Sequence, residues 1–202
     1  MRKLRQNIVF TILILLSGMC AVPSAYGSDF SVNVSYENSE PKYYSMPAKN
    51  VRELCKEAEY EPLGCTHYNI TYHYDYKTYG INERYRVTAV DMKFYYKYGD
   101  FYVYIDNRYP QDSCEYNAIK RHEEMHVKVD QTVEIEKVKA SLKKCISDVN
   151  KQNLEKSALD DAAKSCVQEA FDLDMQIRKQ RNIDIDADKN NHPNFGLLCP
   201  KH

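Results

Sequence analysis

The distribution of tyrosine most constrains the fold, because it divides the chain into two chemically different halves. Seventeen of the eighteen tyrosines lie between Tyr36 and Tyr116, the other is Tyr26, and none follows Tyr116. Aromatic residues favour strands, whereas the Lys, Glu, Ala and Leu residues that dominate the second half favour helices. We therefore predict an α+β fold in which an N-terminal antiparallel sheet of about four strands is followed by a long antiparallel helical hairpin.

The first 27 residues have the composition of a secretory signal peptide. Three basic residues precede an apolar run from Ile8 to Leu16, and Ala25-Tyr26-Gly27 offers small residues at the cleavage point. The apolar run is too short to span a bilayer, so we expect no stable membrane insertion after its removal. Residues 28–202 are predicted to be a single domain, mainly β over 28–112 and mainly α over 113–202, and to be secreted or periplasmic.

Charge and cysteine content narrow the function classes. Loss of residues 1–27 removes three of the 28 basic residues and none of the 29 acidic ones, which leaves a net charge of −4. A nucleic-acid partner is therefore not expected, because such proteins carry a basic stripe. Six cysteines remain, and an even number in an exported chain predicts three disulfides with open connectivity. Thiolate metal sites are disfavoured because no two cysteines have the Cys-x2–4-Cys spacing.

Alternation and turn chemistry locate the elements of the first half. Period-two alternation predicts strands, and Gly99-Asp100 suits a two-residue hairpin turn because glycine accepts a positive φ. A short helix should be tied near its end by Cys55 and Cys65. The predicted helix is Val51–Glu59, and the predicted strands are Phe30–Tyr36, Tyr68–Tyr74, Arg84–Tyr98 (a long strand or a bent pair) and Phe101–Asp106.

The second half has the pattern of two helices. No Pro or Gly occurs from Cys114 to Asn150, and apolar or small residues recur in steps of three and four. A second stripe runs from Leu159 to Ile177, and the polar residues 151–156 suit the turn between the helices. Cys145 and Cys166 lie on the facing stripes, so a disulfide between them would fix the register of this hairpin.

The segment His122-Glu123-Glu124-Met125-His126 lies in the first of these helices. Histidines four residues apart share one helical face, so their imidazoles can bind one metal ion. Glu123 points to the same place and can accept a proton from water at a catalytic zinc. This pattern predicts a Zn²⁺ site with His122 and His126 as ligands and Glu123 as general base.

A catalytic zinc usually has three protein ligands, and the register of the hairpin suggests the third. Asp130 is excluded because it lies about 12 Å along the helix from His122. If Cys145 faces Cys166, the acidic segment after residue 183 lies opposite the two histidines. His192 is the first choice, since the helix must end before Pro193, and Asp186 and Asp184 are the alternatives.

The same acidic segment has a second interpretation. Asp184, Asp186, Asp188 and Asn190 alternate like the opening of a calcium-binding loop. The sixth position is Lys189 instead of glycine and the twelfth is Phe195 instead of glutamate. An EF-hand is therefore disfavoured.

The motif residues His122, Glu123 and His126 resemble those of zincin metallopeptidases. The order of features is narrower: an export signal, a tyrosine-rich region, the motif helix, a second helix, and residues 180–186 followed by His192. This layout is similar to an uncharacterised bacterial family of predicted secreted zinc-dependent proteases. The resemblance implies peptidase activity on a peptide or protein substrate, although here Pro193 stands where that family has glycine.

The leading expectation is an exported zinc-dependent hydrolase, most simply a metallopeptidase. The alternative from a different class is a non-catalytic binding or structural protein of the cell envelope with a metal-binding or vestigial site. A zinc hydrolase of cell-wall amides would share the metal chemistry and differ in substrate.

Overall fold

A computed structural model describes residues 30–55, 62–132, 134–188, 195 and 199. The predicted signal peptide and His192 lie outside the described residues. Eight elements follow one another along the chain: β1 Ser31–Tyr36, β2 Lys42–Met46, α1 Ala48–Leu54, β3 Gly64–Ile81, β4 Arg84–Asp106, α2 Cys114–Asp130, α3 Ile135–Asn150 and α4 Lys156–Ala187.

The sheet is mixed, so the prediction of an antiparallel sheet is wrong. The central strand β4 pairs antiparallel with β3 along one side. On its other side β1 and β2 both run parallel to β4, with Ser31 opposite Ala89 and Lys42 opposite Tyr102. The two short strands thus follow each other along one edge of a 23-residue strand. Because β1 and β2 run parallel to β4, neither is joined to it by a hairpin.

The tight turn of the sheet lies at Asn82-Glu83 and not at the predicted Gly99-Asp100. Asn82 and Glu83 have φ values of 49° and 63°, as a two-residue hairpin turn between β3 and β4 requires. Gly99, with φ 66°, instead lies inside β4. There the register of β4 against β3 shifts between the pairs formed by Tyr68 and Ile70, so the extra β4 residues form an irregularity and not a chain reversal.

The long first helix of the predicted hairpin is interrupted, so the prediction of a helical hairpin carrying the histidine motif is also wrong. Helix α2 ends at Asp130 and α3 begins at Ile135. The Asp130 carbonyl accepts a hydrogen bond from Arg178 Nη1 and one from each of the hydroxyls of Tyr36 and Tyr96, both at 3.2 Å. These donors satisfy the end of α2 without any proline or glycine.

Helices α2, α3 and α4 pack against the sheet and enclose the main core. Burial alternates along β4, where Met92, Phe94 and Phe101 are fully buried. Between the sheet and the helices lie side chains from both layers, so the α and β halves share one core. The fully buried helical members of this core are Val138, Leu142, Ile146, Leu159 and Ala170.

Three disulfides form, which confirms the prediction made from cysteine number. Cys55 pairs with Cys65 and Cys145 with Cys166, as their positions suggested. The third joins Cys114, the first residue of α2, to Cys199 near the end of the chain. Disulfide bonding fits a secreted protein. None of the helices in the described residues combines the length and the apolar character needed to cross a membrane.

Candidate metal centre

His122 and His126 face each other one turn apart on α2. Their rings are nearly perpendicular, with centroids 4.8 Å apart, and their Nε2 atoms are separated by 3.2 Å. Both side chains are 11 % exposed. Two nitrogen donors are therefore held close together at a site that is largely shielded from water.

Asp186 supplies a third donor from the last turn of α4. Its Oδ1 lies 3.4 Å from Nε2 of His122 and 3.1 Å from Nε2 of His126. These three residues form a group whose potential ligand atoms all lie within 4.8 Å of one another. Ligands placed tetrahedrally around zinc at about 2.0–2.1 Å are about 3.3 Å apart. The triangle of donor atoms thus has the size that a tetrahedral zinc site requires.

The centre opens on one side, at the carboxylate. The side chain of Asp186 is 63 % exposed, whereas the two histidines are almost covered. A catalytic metal needs an open position besides its protein ligands. Access from the side of α4 would leave such a position available to water or substrate.

The other two candidates for the third ligand are not part of this group. Asp184 is exposed, and its Oδ1 accepts a hydrogen bond from Gln180 Nε2 at 2.8 Å. It therefore faces along the outer side of α4. His192 lies outside the described residues. Helix α4 continues to Ala187, so Asp186 reaches the two histidines from within the helix.

Glu123 is buried between α2 and β3, beside the histidines. It is 3 % exposed, and its Oε2 accepts a hydrogen bond from Thr66 Oγ1 at 3.1 Å. Close approach of the two elements depends on Gly64, where an added Cβ would lie 3.0 Å from Glu123 Oε1 and 2.9 Å from Ile119 Cγ2. The glycine thus leaves the space in which the carboxylate is held.

The ionisable groups of the centre shift one another's pKa values. Burial raises the pKa of Glu123 above its usual value, although His126, His122 and Thr66 each oppose this shift. Hydrogen bonds from His122 and His126 hold the pKa of Asp186 well below its usual range. Burial disfavours a charged His126, but hydrogen bonding to Asp186 and the charge of Glu123 together raise its pKa to about 9. The metal-free group therefore binds a proton where it could bind a cation.

Three contributors to the centre were missed by the sequence analysis. Thr66 and Gly64 lie on β3, where a glycine inside a strand can signal a close backbone approach. Asn182 lies one turn before Asp186, with Oδ1 2.9 Å from His126 Nδ1. A four-residue spacing of polar side chains in the second helix, from Asp174 onwards, was the available signal for Asn182.

No family profile, curated protein or solved structure matches this chain. The resemblance to zincins and to the predicted secreted proteases therefore stays a prediction. Support for a function comes from the arrangement of His122, His126 and Asp186.

Proposed function

We propose that this protein is a secreted or periplasmic zinc-dependent hydrolase, and most specifically a metallopeptidase. The observation that carries the proposal is the triangle formed by His122 Nε2, His126 Nε2 and Asp186 Oδ1, with sides of 3.2, 3.4 and 3.1 Å. Two imidazoles and one carboxylate are a common ligand set of catalytic zinc. Asp186 thus replaces His192 as the proposed third ligand.

The residues of the chain fit the two tasks of such a hydrolase. His122, His126 and Asp186 would hold Zn²⁺, which when bound polarises a carbonyl and lowers the pKa of water. Glu123 would accept the proton of the attacking water and return it to the leaving amine. Its burial raises its pKa towards the range in which a carboxylate can both take and release a proton.

The sheet supports a peptide as the substrate. The part of β4 at Phe101–Asp106 cannot accept an added strand, because it is paired on both sides, by β2 and by β3. In the described residues β3 pairs with β4 alone, and its start at Gly64–Thr66 lies beside Glu123. An extended peptide that added to this edge would bring its backbone next to the general base.

The test compares metal content and hydrolysis in matched variants of the mature chain. Glu123→Gln should retain one zinc per chain and lose hydrolysis of casein, because the ligands stay and the base is gone. Asp186→Ala should lose both zinc and activity, and Asp184→Ala should lose neither. Zinc is measured by atomic emission on chain purified without added metal.

Three results would separate the alternatives. Stoichiometric zinc without hydrolysis of casein or of peptidoglycan would favour a non-catalytic envelope protein. Hydrolysis of peptidoglycan alone would favour a cell-wall amidase. Absence of zinc in the wild type, with an unchanged melting temperature for His122→Ala, would contradict the metal centre itself.

A further inference from the structure

Two residues that are not metal ligands connect the centre to the buried interior. Asn182 Oδ1 lies 2.9 Å from Nδ1 of His126, and Nδ2 of the same amide donates a hydrogen bond to Asp130 Oδ1 at 3.1 Å. Asp130 is fully buried. Its backbone carbonyl is held in turn by Arg178 and by two tyrosine hydroxyls. The chain His126–Asn182–Asp130 is therefore anchored at its inner end.

The hydrogen bonds that link His126, Asn182 and Asp130 can be oriented in only one way. Burial raises the pKa of Asp130 to about 6, and above that pH its carboxylate accepts hydrogen bonds and cannot donate them, so the amide nitrogen of Asn182 must face Asp130. The amide oxygen then faces His126, and it can only accept. Nδ1 of His126 must therefore carry a hydrogen. Nε2, which faces His122 and Asp186, is then the nitrogen whose lone pair becomes available when a metal displaces the proton shared with Asp186.

We propose that Asn182 and Asp130 are positioning residues of the metal centre, which fix His126 in the orientation and tautomer that bind a metal through Nε2. The inference rests on the proposed zinc site and adds two residues to it. Metal-bound histidines usually donate their second N–H to a carboxylate or carbonyl, and loss of that partner weakens metal binding. Here the Asp130 carboxylate orients the amide of Asn182, and the amide oxygen in turn orients the imidazole of His126.

The position of Asp130 explains why it acts through another residue. It lies on the same face of α2 as the histidines, eight residues after His122, which is about 12 Å along the helix axis. From there it is too far to ligate the same ion. Asn182, one turn before Asp186 on α4, spans the gap between Asp130 and His126.

The test measures zinc affinity by competition with a chelator, on full mature chain freed of metal. Asn182→Leu keeps the size of the side chain and removes both hydrogen bonds, so the Kd for zinc should rise 10–100-fold. Asp130→Asn allows the amide of Asn182 to turn round, and its Kd should lie between those of wild type and Asn182→Leu. Gln180→Leu removes an amide from the outer side of α4 and should leave the Kd unchanged.

Nuclear magnetic resonance of the zinc-loaded wild type identifies which nitrogen of His126 binds the metal, a property that does not change if Asn182 only contributes to packing. Long-range ¹H–¹⁵N correlations of His126 should show a hydrogen on Nδ1 and metal on Nε2. Ligation through Nδ1 would overturn the proposal even if Asn182→Leu failed to fold. An unchanged Kd in folded Asn182→Leu would also overturn it, and an unchanged Kd in Asp130→Asn would remove Asp130 from it.

Failure of the proposed function is distinguishable from failure of this inference. Zinc binding that weakens as expected in Asn182→Leu, without any hydrolysis, removes the peptidase and leaves the positioning residues in place. If the protein hydrolyses its substrate and Asn182→Leu binds zinc with wild-type affinity, the positioning role is overturned and the proposed peptidase activity stands. A wild-type chain that binds no zinc overturns both.

Discussion

The two halves of helix α4 differ in the side chains that they carry on the inner face. Its first half packs small and apolar side chains into the core, where they lie between the sheet and α3. Its second half carries a polar residue on the inner face at every fourth position. The buried apolar set is Leu159, Ala163, Cys166, Val167 and Ala170, and the polar set is Asp174, Arg178, Asn182 and Asp186.

The polar half of α4 matches a polar face on α2. His122, His126 and Asp130 follow one another at the same spacing of four, and they contact Asp186 and Asn182 across the helix pair. Polar residues at this spacing form one line along a helix because each step of four is slightly more than a turn. The packed apolar core and the candidate metal centre therefore lie in different halves of one continuous helix.

The largest effect is expected at the border between the two halves. Arg178→Ala would leave Asp174 buried without its partner, and breaking such a pair by removing one member costs about 3–5 kcal/mol. Urea denaturation of the metal-free chain measures the loss. The double variant Asp174→Leu/Arg178→Met should recover most of it, because a packed apolar pair replaces two buried charges. A single variant as stable as wild type would show that the pair contributes nothing.

A somewhat smaller loss is expected in the apolar half. Leu159 is fully buried, so Leu159→Ala should lower the free energy of unfolding by about 3 kcal/mol through lost burial and a cavity. The same variant should bind zinc with wild-type affinity once folded, since Leu159 lies far from the ligands along α4. A parallel loss of zinc affinity in this variant would contradict the separation of the two halves.

The polar half should also give the metal-free chain a characteristic pH dependence. His126 has a folded pKa of about 9 against an ordinary 6.5, so its contribution is complete below pH 6.5 and is lost as the pH rises towards 9. The rise from 6.5 to about 9 corresponds to about 3 kcal/mol, at about 1.4 kcal/mol per unit of pKa. Melting temperatures taken with a chelator should fall over this range, and those of His126→Gln should fall less. Zinc affinity should change in the opposite direction, because the metal displaces that proton.

The smallest effect is expected on the outer side of the polar half. Asp184 is exposed and lies two residues from Asp186, yet Asp184→Ala should change the free energy of unfolding by less than about 0.5 kcal/mol. Calorimetric titration should also show wild-type zinc binding. If this variant lost zinc as Asp186→Ala is expected to, the inner face of α4 would not be the ligand face.

Part of the candidate metal centre could be predicted from the sequence, because the positions of those residues depend on helix geometry and on one disulfide. The spacing of His122 and His126 follows from helical geometry alone, and pairing of Cys145 with Cys166 placed the acidic segment after residue 183 opposite the two histidines. The structure has Asp186 at that level, next to His126. The register survives the break between α2 and α3, since both helices pack against the same α4.

Other features depend on contacts between distant parts of the chain. Alternation in β1 and β2 is the same whether a strand runs parallel or antiparallel to β4, so strand direction could not be predicted from it. The end of α2 at Asp130 is set by donors from Tyr36, Tyr96 and Arg178, which are far away in sequence. Asn182 has no motif of its own, and only its distance from Asp130 and His126 identifies it.

The disulfide between Cys114 and Cys199 has a consequence for resistance to proteolysis. Together with Cys145–Cys166 it spans the exposed turn at residues 151–155, which joins α3 to α4. A single cut in that turn would divide the polypeptide but release no fragment, because covalent links cross the cut on both sides. His122, His126 and Asp186 would stay in one molecule, and the nicked chain would keep the candidate metal centre.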